Sequence, residues 1–346
     1  MIKPQENKNN TLVGLWLALL SLMVFLIIII GGLTRLTDSG LSMVDWRPIL
    51  GFLPPLSNND WMIEFEKYKR SPEYLIVNYS MQIEEFKYIF YWEYFHRLFA
   101  RLIGFVFLFP LIYFIIKRYI SKTTFLKLLI VFLFGLIQAV VGWWMVKSGL
   151  VDDPYVSQYR LSFHLTIAII ILSILVWMTL ENLLPGNKDG NLKKYKYLKI
   201  ISLILCLLTI ISGSFVSGTD AGKSFNTFPL MDGKFIPEGY LIGESLILNF
   251  FENTIAIQFN HRWLAVFTFF WIVIISIYIS LNNKSSKIRI SCYVAIILSS
   301  LQILVGILTL INNVPIYLAS IHQANATLLY ISILFSIFTL SYDFKK

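Results

Sequence analysis

The chain contains four histidines, His96, His164, His261 and His322, and each stands near the start of a long apolar segment. Imidazole titrates near neutral pH and is the commonest side-chain metal ligand. A set this small and this regular points to metal ligation in pairs. Arginines accompany it: Arg97 follows His96, Arg262 follows His261, Arg101 lies a turn beyond His96, and Arg35 ends the first apolar run. Guanidinium groups match carboxylates in bidentate geometry, so these four are candidates for holding an acidic ligand. Glu93 stands three residues before His96 and shares its face on a continuous helix. A carboxylate there can take protons or stabilise developing positive charge. Zinc is the competing use of the histidines, but two imidazoles alone make a poor zinc site and no cysteine accompanies them.

The elements that must position these residues are membrane spans. Of 346 residues, 57% are hydrophobic and 14% charged, with a mean hydropathy of +0.69. Soluble domains carry nearer a quarter charged residues. A span takes roughly 20 apolar residues, and eight segments qualify: 12–34, 95–116, 125–146, 161–181, 198–217, 259–281, 290–311 and 317–341. The chain therefore reads as an all-α integral membrane protein surrounded by lipid. Its net charge of +9 reports topology rather than nucleic-acid binding. With both termini cytoplasmic, the inner segments carry Lys3, Lys8, Lys117, Arg118, Lys122, Lys127, Lys188, Lys193, Lys194, Lys196, Lys199, Lys284, Lys287, Arg289, Lys345 and Lys346. Only Glu6, Glu181, Asp189 and Asp343 oppose them there. Basic inner loops alternate with mildly acidic outer ones, as the positive-inside rule expects. The first apolar run is longer than a signal peptide's core and lacks a small-residue cleavage site, so no cleavable signal is evident. Cys206 and Cys292 both fall in spans, which excludes an outer-loop disulfide and argues against a cysteine-ligated metal.

The sequence also repeats. FLIIIIGGLTRLTDSGLS (25–42) matches LLTIISGSFVSGTDAGKS (207–224), EYFHRLFARLIGFVF (93–107) matches QFNHRWLAVFTFFWI (258–272), LIQAVVGWWMV (136–146) matches SLQILVGILTL (300–310), and FHLTIAII (163–170) matches IHQANATL (321–328). The four matches occur in the same order. Gly31 pairs with Gly213, Gln138 with Gln302, and Gly142 with Gly306. Each repeat is a four-span unit, and an even number of spans turns both units the same way. The expected architecture is two tandem four-helix bundles related by a pseudo-twofold axis along the membrane normal. An N-terminal unit, 1–184, and a C-terminal unit, 198–346, are joined by a hydrophilic cytoplasmic linker, 185–197. Long outer loops, 37–92 and 218–257, precede the second span of each unit, and an amphipathic helix is expected near Trp61–Lys69.

Spans two, four, six and eight run from outside to inside, each with its histidine within a turn or two of the outer end. Two imidazoles per unit then sit at one depth on parallel helices, in the kind of bundle core that holds cofactors. Opposed imidazoles ligate the iron of a heme, so the arrangement points to one heme per unit, with the four arginines as partners for its propionates. Arginines at span ends also snorkel to the interface. Asp38 and Asp220 read as turn residues just after their spans. The paired glycines read as points of close helix approach, and the aromatic residues as interfacial belt and lipid-facing bulk. One break in the repeat is informative: Gln258 stands where Glu93 stands in the first unit, and an amide takes no proton at ordinary pH. The first unit is thus expected to do chemistry while the second holds an electron-transfer or structural heme.

GGLTRLTDSGLSMVDWRPILGFLPP, EYFHRLFARLIG, QAVVGWWMVKSGL, FHL, FNHRWLA and IHQANA resemble the heme A synthase family nearly end to end. The resemblance implies an eight-span oxidoreductase that oxidises the C8 methyl of heme O to a formyl group through successive hydroxylations, giving heme A for cytochrome c oxidase. It implies that His96 and His164 ligate the substrate heme O, that His261 and His322 ligate a resident heme b, and that Glu93 is catalytic. It further implies an external electron acceptor and a handover of substrate from heme O synthase. Some family members carry a cysteine pair in the first outer loop; residues 37–92 contain none. The pattern is similar to the cysteine-poor, proteobacterial and mitochondrial type, and the absence of a transit peptide favours a bacterial inner membrane with the heme sites near its periplasmic face. A diheme cytochrome b-type electron carrier would explain the histidines equally well, though not the Glu93/Gln258 break. A transporter built from parallel repeats would need polar or broken helices at mid-membrane, where these spans have few polar residues.

Overall fold

The computed structural model describes residues 4–46, 51–151, 153–184, 186–188, 192–242 and 245–343. Lys3, Asp189, Lys345 and Lys346 of the charge pattern, Pro185 of the linker, and residues 47–50 of the first outer loop lie outside the described residues. The helices are α1 (Pro4–Leu36), α2 (Asn58–Tyr68), α3 (Pro72–Ile76), α4 (Ile83–Ile116), α5 (Lys122–Lys147), α6 (Gln158–Leu183), α7 (Lys193–Gly218), α8 (Leu246–Glu252), α9 (Thr254–Leu281), α10 (Ser286–Ile311) and α11 (Ile316–Thr339). Eight of them, α1, α4, α5, α6, α7, α9, α10 and α11, are long and apolar enough to cross a membrane. The protein is an all-α, multi-pass membrane protein; a two-residue antiparallel pairing of Asn187–Lys188 with Tyr342–Asp343 is its only sheet among the described residues. Two compact units are present, residues 22–171 and residues 1–21 with 172–346.

In the unit 22–171, α4 begins twelve residues before the expected span. A capping box starts it: the Gln82 N–H donates to Glu85 Oε2 at 2.8 Å, satisfying one of the amides a helix start leaves open. The charged residues Glu84, Glu85 and Lys87 hide these turns from a search for apolar runs. The helix has 34 residues, about 51 Å at 1.5 Å per residue, whereas the hydrocarbon layer is about 30 Å thick. The helix is therefore longer than the layer, and α2 covers its first turns. Ser57 caps α2 reciprocally with Asp60. Trp61, Phe65 and Tyr68 then fall on one helical face and pack on Phe86, Ile89, Phe90 and Tyr94. The first outer loop thus ends at Gln82, and its expected amphipathic helix is α2. Further in, Phe107 of α4 stacks on Phe132 of α5 at 6.2 Å. Arg160 of α6 donates to the Trp144 carbonyl of α5 at 2.7 Å, its guanidinium over the Trp144 ring.

In the other unit, α7 packs on α9, α9 on α10, α10 on α11 and α11 on α7, closing a four-helix ring. Toward one end Ile275, Ile279, Ile288, Cys292 and Leu340 form a buried apolar cluster. Cys206 and Cys292 are buried free thiols. Lys199 is fully buried, with Nζ donating to Ser276 Oγ at 2.7 Å. The inner part of α1 packs on α6, where a Cβ at Gly14 would meet Leu183 at 2.5 Å. The second outer loop, which ends at Asn253 rather than 257, is held by asparagines. Asn249 Nδ2 donates to the Tyr240 carbonyl at 2.6 Å and Asn253 Nδ2 to the Gly239 carbonyl at 2.7 Å.

Candidate heme sites

The histidines divide between the units as the repeat divides them, His96 and His164 in one, His261 and His322 in the other. Within each couple the two imidazoles lie within electrostatic reach of one another. His164, His261 and His322 stand six or seven residues inside their helices, whereas His96 stands thirteen residues inside α4 because that helix starts early. Each histidine is half-buried as a residue.

Every imidazole rests on a glycine of the preceding span. A Cβ at Gly31 would stand 3.1 Å from His96 Cε1, at Gly142 3.0 Å from His164 Cε1, at Gly213 3.1 Å from His261 Cε1, and at Gly306 2.8 Å from His322 Cε1. Real Cβ atoms rarely approach so closely, so a methyl would displace each ring. The glycines seat the rings as well as drawing helices together. The alignment had already paired Gly31 with Gly213 and Gly142 with Gly306, but which side chain filled the space was not legible there. The paired glutamines, one turn before two of these glycines, share the same face. Gln138 Nε2 is 3.3 Å from His164 Nε2, and Gln302 Nε2 is 3.1 and 3.2 Å from His322 Nδ1 and Nε2.

Two imidazoles per unit, each with a steric seat, fit axial ligation of a planar iron macrocycle. Among the described residues no three His, Cys, Asp or Glu side chains come together, so a many-ligand metal site of the zinc type is not built here. An orphaned polar atom adds to the fit: His164 Nδ1 is buried and unpartnered.

Glu93 is buried and fully engaged. Its Oε2 accepts from Ser42 Oγ at 2.7 Å and from the Met43 N–H at 2.8 Å, and its Oε1 accepts from Arg97 Nη2. Arg97 also donates to the carbonyls of Met43 and Asp45 at 3.1 and 3.3 Å. Together they pin the chain that follows α1 against α4. The other unit builds the same clamp with inverted polarity. Gln258 Nε2 donates to the carbonyls of Gly222 and Phe225 at 3.2 and 3.0 Å, and Arg262 donates to those of Phe225 and Thr227 at 2.6 Å each. Arg262 Nε and Gln258 Oε1 stay buried without partners. Arg35 pairs with Asp38 at 2.6 Å, and Arg101 lies over the Phe52 ring. Asp38 and Asp220 take left-handed φ of 47° and 53°, the turn role expected of them.

The cap over α4 holds a further acid that the motifs did not single out. Glu73 is buried, and its Oε2 accepts from the Tyr68 hydroxyl at 2.9 Å, which in turn accepts from Asn78 Nδ2 at 2.8 Å. Burial pushes its carboxyl up to about 7, with Glu93 and Asp38 adding to the rise while Tyr68 and Arg35 oppose it.

Residues 14–334 match the family COX15-CtaA, cytochrome oxidase assembly protein. The protein named heme A synthase from Nitrosospira multiformis is 44% identical over 326 residues, 92% of this chain and 90% of that one. Proteins of the same name from Wolbachia pipientis wMel and Azorhizobium caulinodans are 43% identical over 326 residues (93% and 91%) and 40% identical over 331 residues (95% and 94%). A match over residues 14–334, with relatives 40–44% identical over nine-tenths of the chain, establishes that the chain belongs to the COX15-CtaA family of cytochrome oxidase assembly proteins.

Proposed function

We propose that the protein catalyses the heme A synthase reaction, oxidising the C8 methyl of heme O to a formyl group by successive hydroxylations. The carrying observation is the duplication itself: two imidazole couples, each seated on glycines, with a carboxylate beside the first and an amide beside the second. His96 and His164 hold the substrate, and His261 and His322 hold a resident heme b. That heme supplies a one-electron relay toward an external acceptor. Glu93 is held by Arg97, Ser42 and Met43 one turn from His96, where a carboxylate favours positive charge developing on the substrate. Arg97 and Arg262 spend Nη donors on loop carbonyls, and a guanidinium has five donors. Arg262 Nε, buried and unpartnered, is the donor best suited to a propionate; Arg97, Arg35 and Arg101 serve the substrate's propionates. The termini are cytoplasmic, the membrane is a bacterial inner membrane, the sites lie toward its periplasmic face, and heme O arrives from heme O synthase.

Co-expression with a heme O synthase, followed by heme extraction, tests this reading. Heme A is expected. Glu93→Ala should abolish it while heme b remains bound, and Glu93→Asp, which keeps a carboxylate, should restore part. Bound heme b without conversion in the unaltered chain would overturn the enzymatic reading in favour of an electron carrier.

A further inference from the structure

The two couples differ in what surrounds their imidazoles. Ser212 Oγ is 2.8 Å from His261 Nδ1. A ring that donates Nδ1–H to that hydroxyl leaves Nε2 for a metal and cannot turn freely. The matching residue one helix position before Gly31 is Ile30, which offers His96 no acceptor. The second histidines do not carry this contrast. Gln302 Nε2 faces His322, its amide fixed by Asn325 Nδ2 at 2.8 Å, and Gln138 Nε2 faces His164 while donating to the His164 carbonyl at 3.1 Å. An amide nitrogen only donates, so neither glutamine accepts the N–H that a ring ligating through its other nitrogen must give. The glycine seats are alike in all four cases, so shape does not separate the couples. Only the Ser212 hydroxyl does.

Resting on the assignment of heme b and heme O above, we propose that Ser212 locks the second couple around a permanent heme, while Ile30 leaves the first couple free to release its heme. A resident cofactor must outlast many turnovers. A substrate heme must enter and its product leave, which breaks two iron–imidazole bonds each cycle. Partners of ligating histidines are worth about 10- to 100-fold in metal affinity, enough to separate a retained ligand from an exchanging one. Ser212 is a positioning residue; it acts through the ring it holds.

Heme transfer to excess apomyoglobin tests the proposal, using the full chain in detergent with iron protoporphyrin IX bound in both couples. Two phases are expected. His96→Ala should remove the fast phase and His261→Ala the slow one. Ser212→Ala should speed the slow phase about 10- to 100-fold and leave the fast phase alone, and Ser212→Thr should restore the slow rate. Ser212→Ala should also raise the midpoint potential of the C-terminal heme only, because the ring donates less charge to iron. Ile30→Ser should slow the fast phase. Two bound hemes leaving at one rate, or a slow phase unmoved by Ser212→Ala, would overturn the inference and leave the site assignment standing. A chain that binds no heme through either couple would overturn the assignment itself.

Discussion

The clamp after α1 and the clamp after α7 solve one problem with opposite polarity. In the first, the loop supplies donors, Ser42 Oγ and the Met43 N–H, and Glu93 accepts. In the second, the loop supplies carbonyls and Gln258 donates. An arginine one turn further binds loop carbonyls in both. The Glu/Gln difference therefore has a structural reason as well as the chemical one proposed for it, and a single substitution at Glu93 tests both at once. Their coverings differ too. An aromatic cluster packs α2 over the start of α4, and an asparagine hydrogen-bond set holds the loop before α9.

The largest effect expected of breaking this comparison is at Glu93. Glu93→Ala should lower heme A formation about 100-fold or more, and Glu93→Gln nearly as much, since either amide orientation turns its nitrogen toward a donor. Heme A yield per bound heme b measures it, and a normal yield in the glutamine variant would show that the reaction needs neither the charge nor the full set of accepted hydrogen bonds. Trp61→Ala should cost about 3–5 kcal/mol of cap stability and expose amides of α2 and the start of α4 to hydrogen exchange, with α9 unaffected. Equal exchange in α9 would mean that the two coverings are not independent. Gln258→Glu should cost about 2–4 kcal/mol, because a buried carboxylate would face carbonyls that only accept; loss of the C-terminal Soret band on heating reports it. Gly142→Ala and Gly306→Ala should each weaken heme binding by about 1–3 kcal/mol through overpacking, each in its own couple. Gly306 should be the worse site, since its Cβ would lie 2.8 Å from the ring against 3.0 Å at Gly142.

The smallest effect is a pH dependence confined to the first covering. The Glu73 carboxyl is raised from 4.5 to about 7 by burial, so the folded cap binds the proton more tightly than the unfolded chain. Its contribution is fully present below 4.5 and is lost as pH rises through 7, at no more than about 1.4 kcal/mol per pH unit. Cap protection in hydrogen exchange should fall over that window and become flat in Glu73→Gln. A fall that persists in that variant would assign the titration elsewhere.

Eight spans, their order and the duplicated motif were legible because each is a local pattern: apolar runs of membrane length, and matched segments in register. The pairing of the histidines followed from the same patterns. The outer start of α4 was not legible, since its first turns mix Glu84, Glu85 and Lys87 with aromatics and become a helix face only against α2. Glu73 was invisible for a related reason: a carboxyl in a polar-looking loop gives no sign that Tyr68 and Asn78 will enclose it.

By itself, the order of residues determined that this is a membrane protein of two similar halves, with two imidazoles in each and one carboxylate out of place, because spans and repeats are one-dimensional properties. Only the tertiary structure decided what each imidazole touches. Glycine seats, the Ser212 hydroxyl and the Asn325–Gln302 pair come from different helices, and contacts between helices depend on rotation and depth that no single segment specifies.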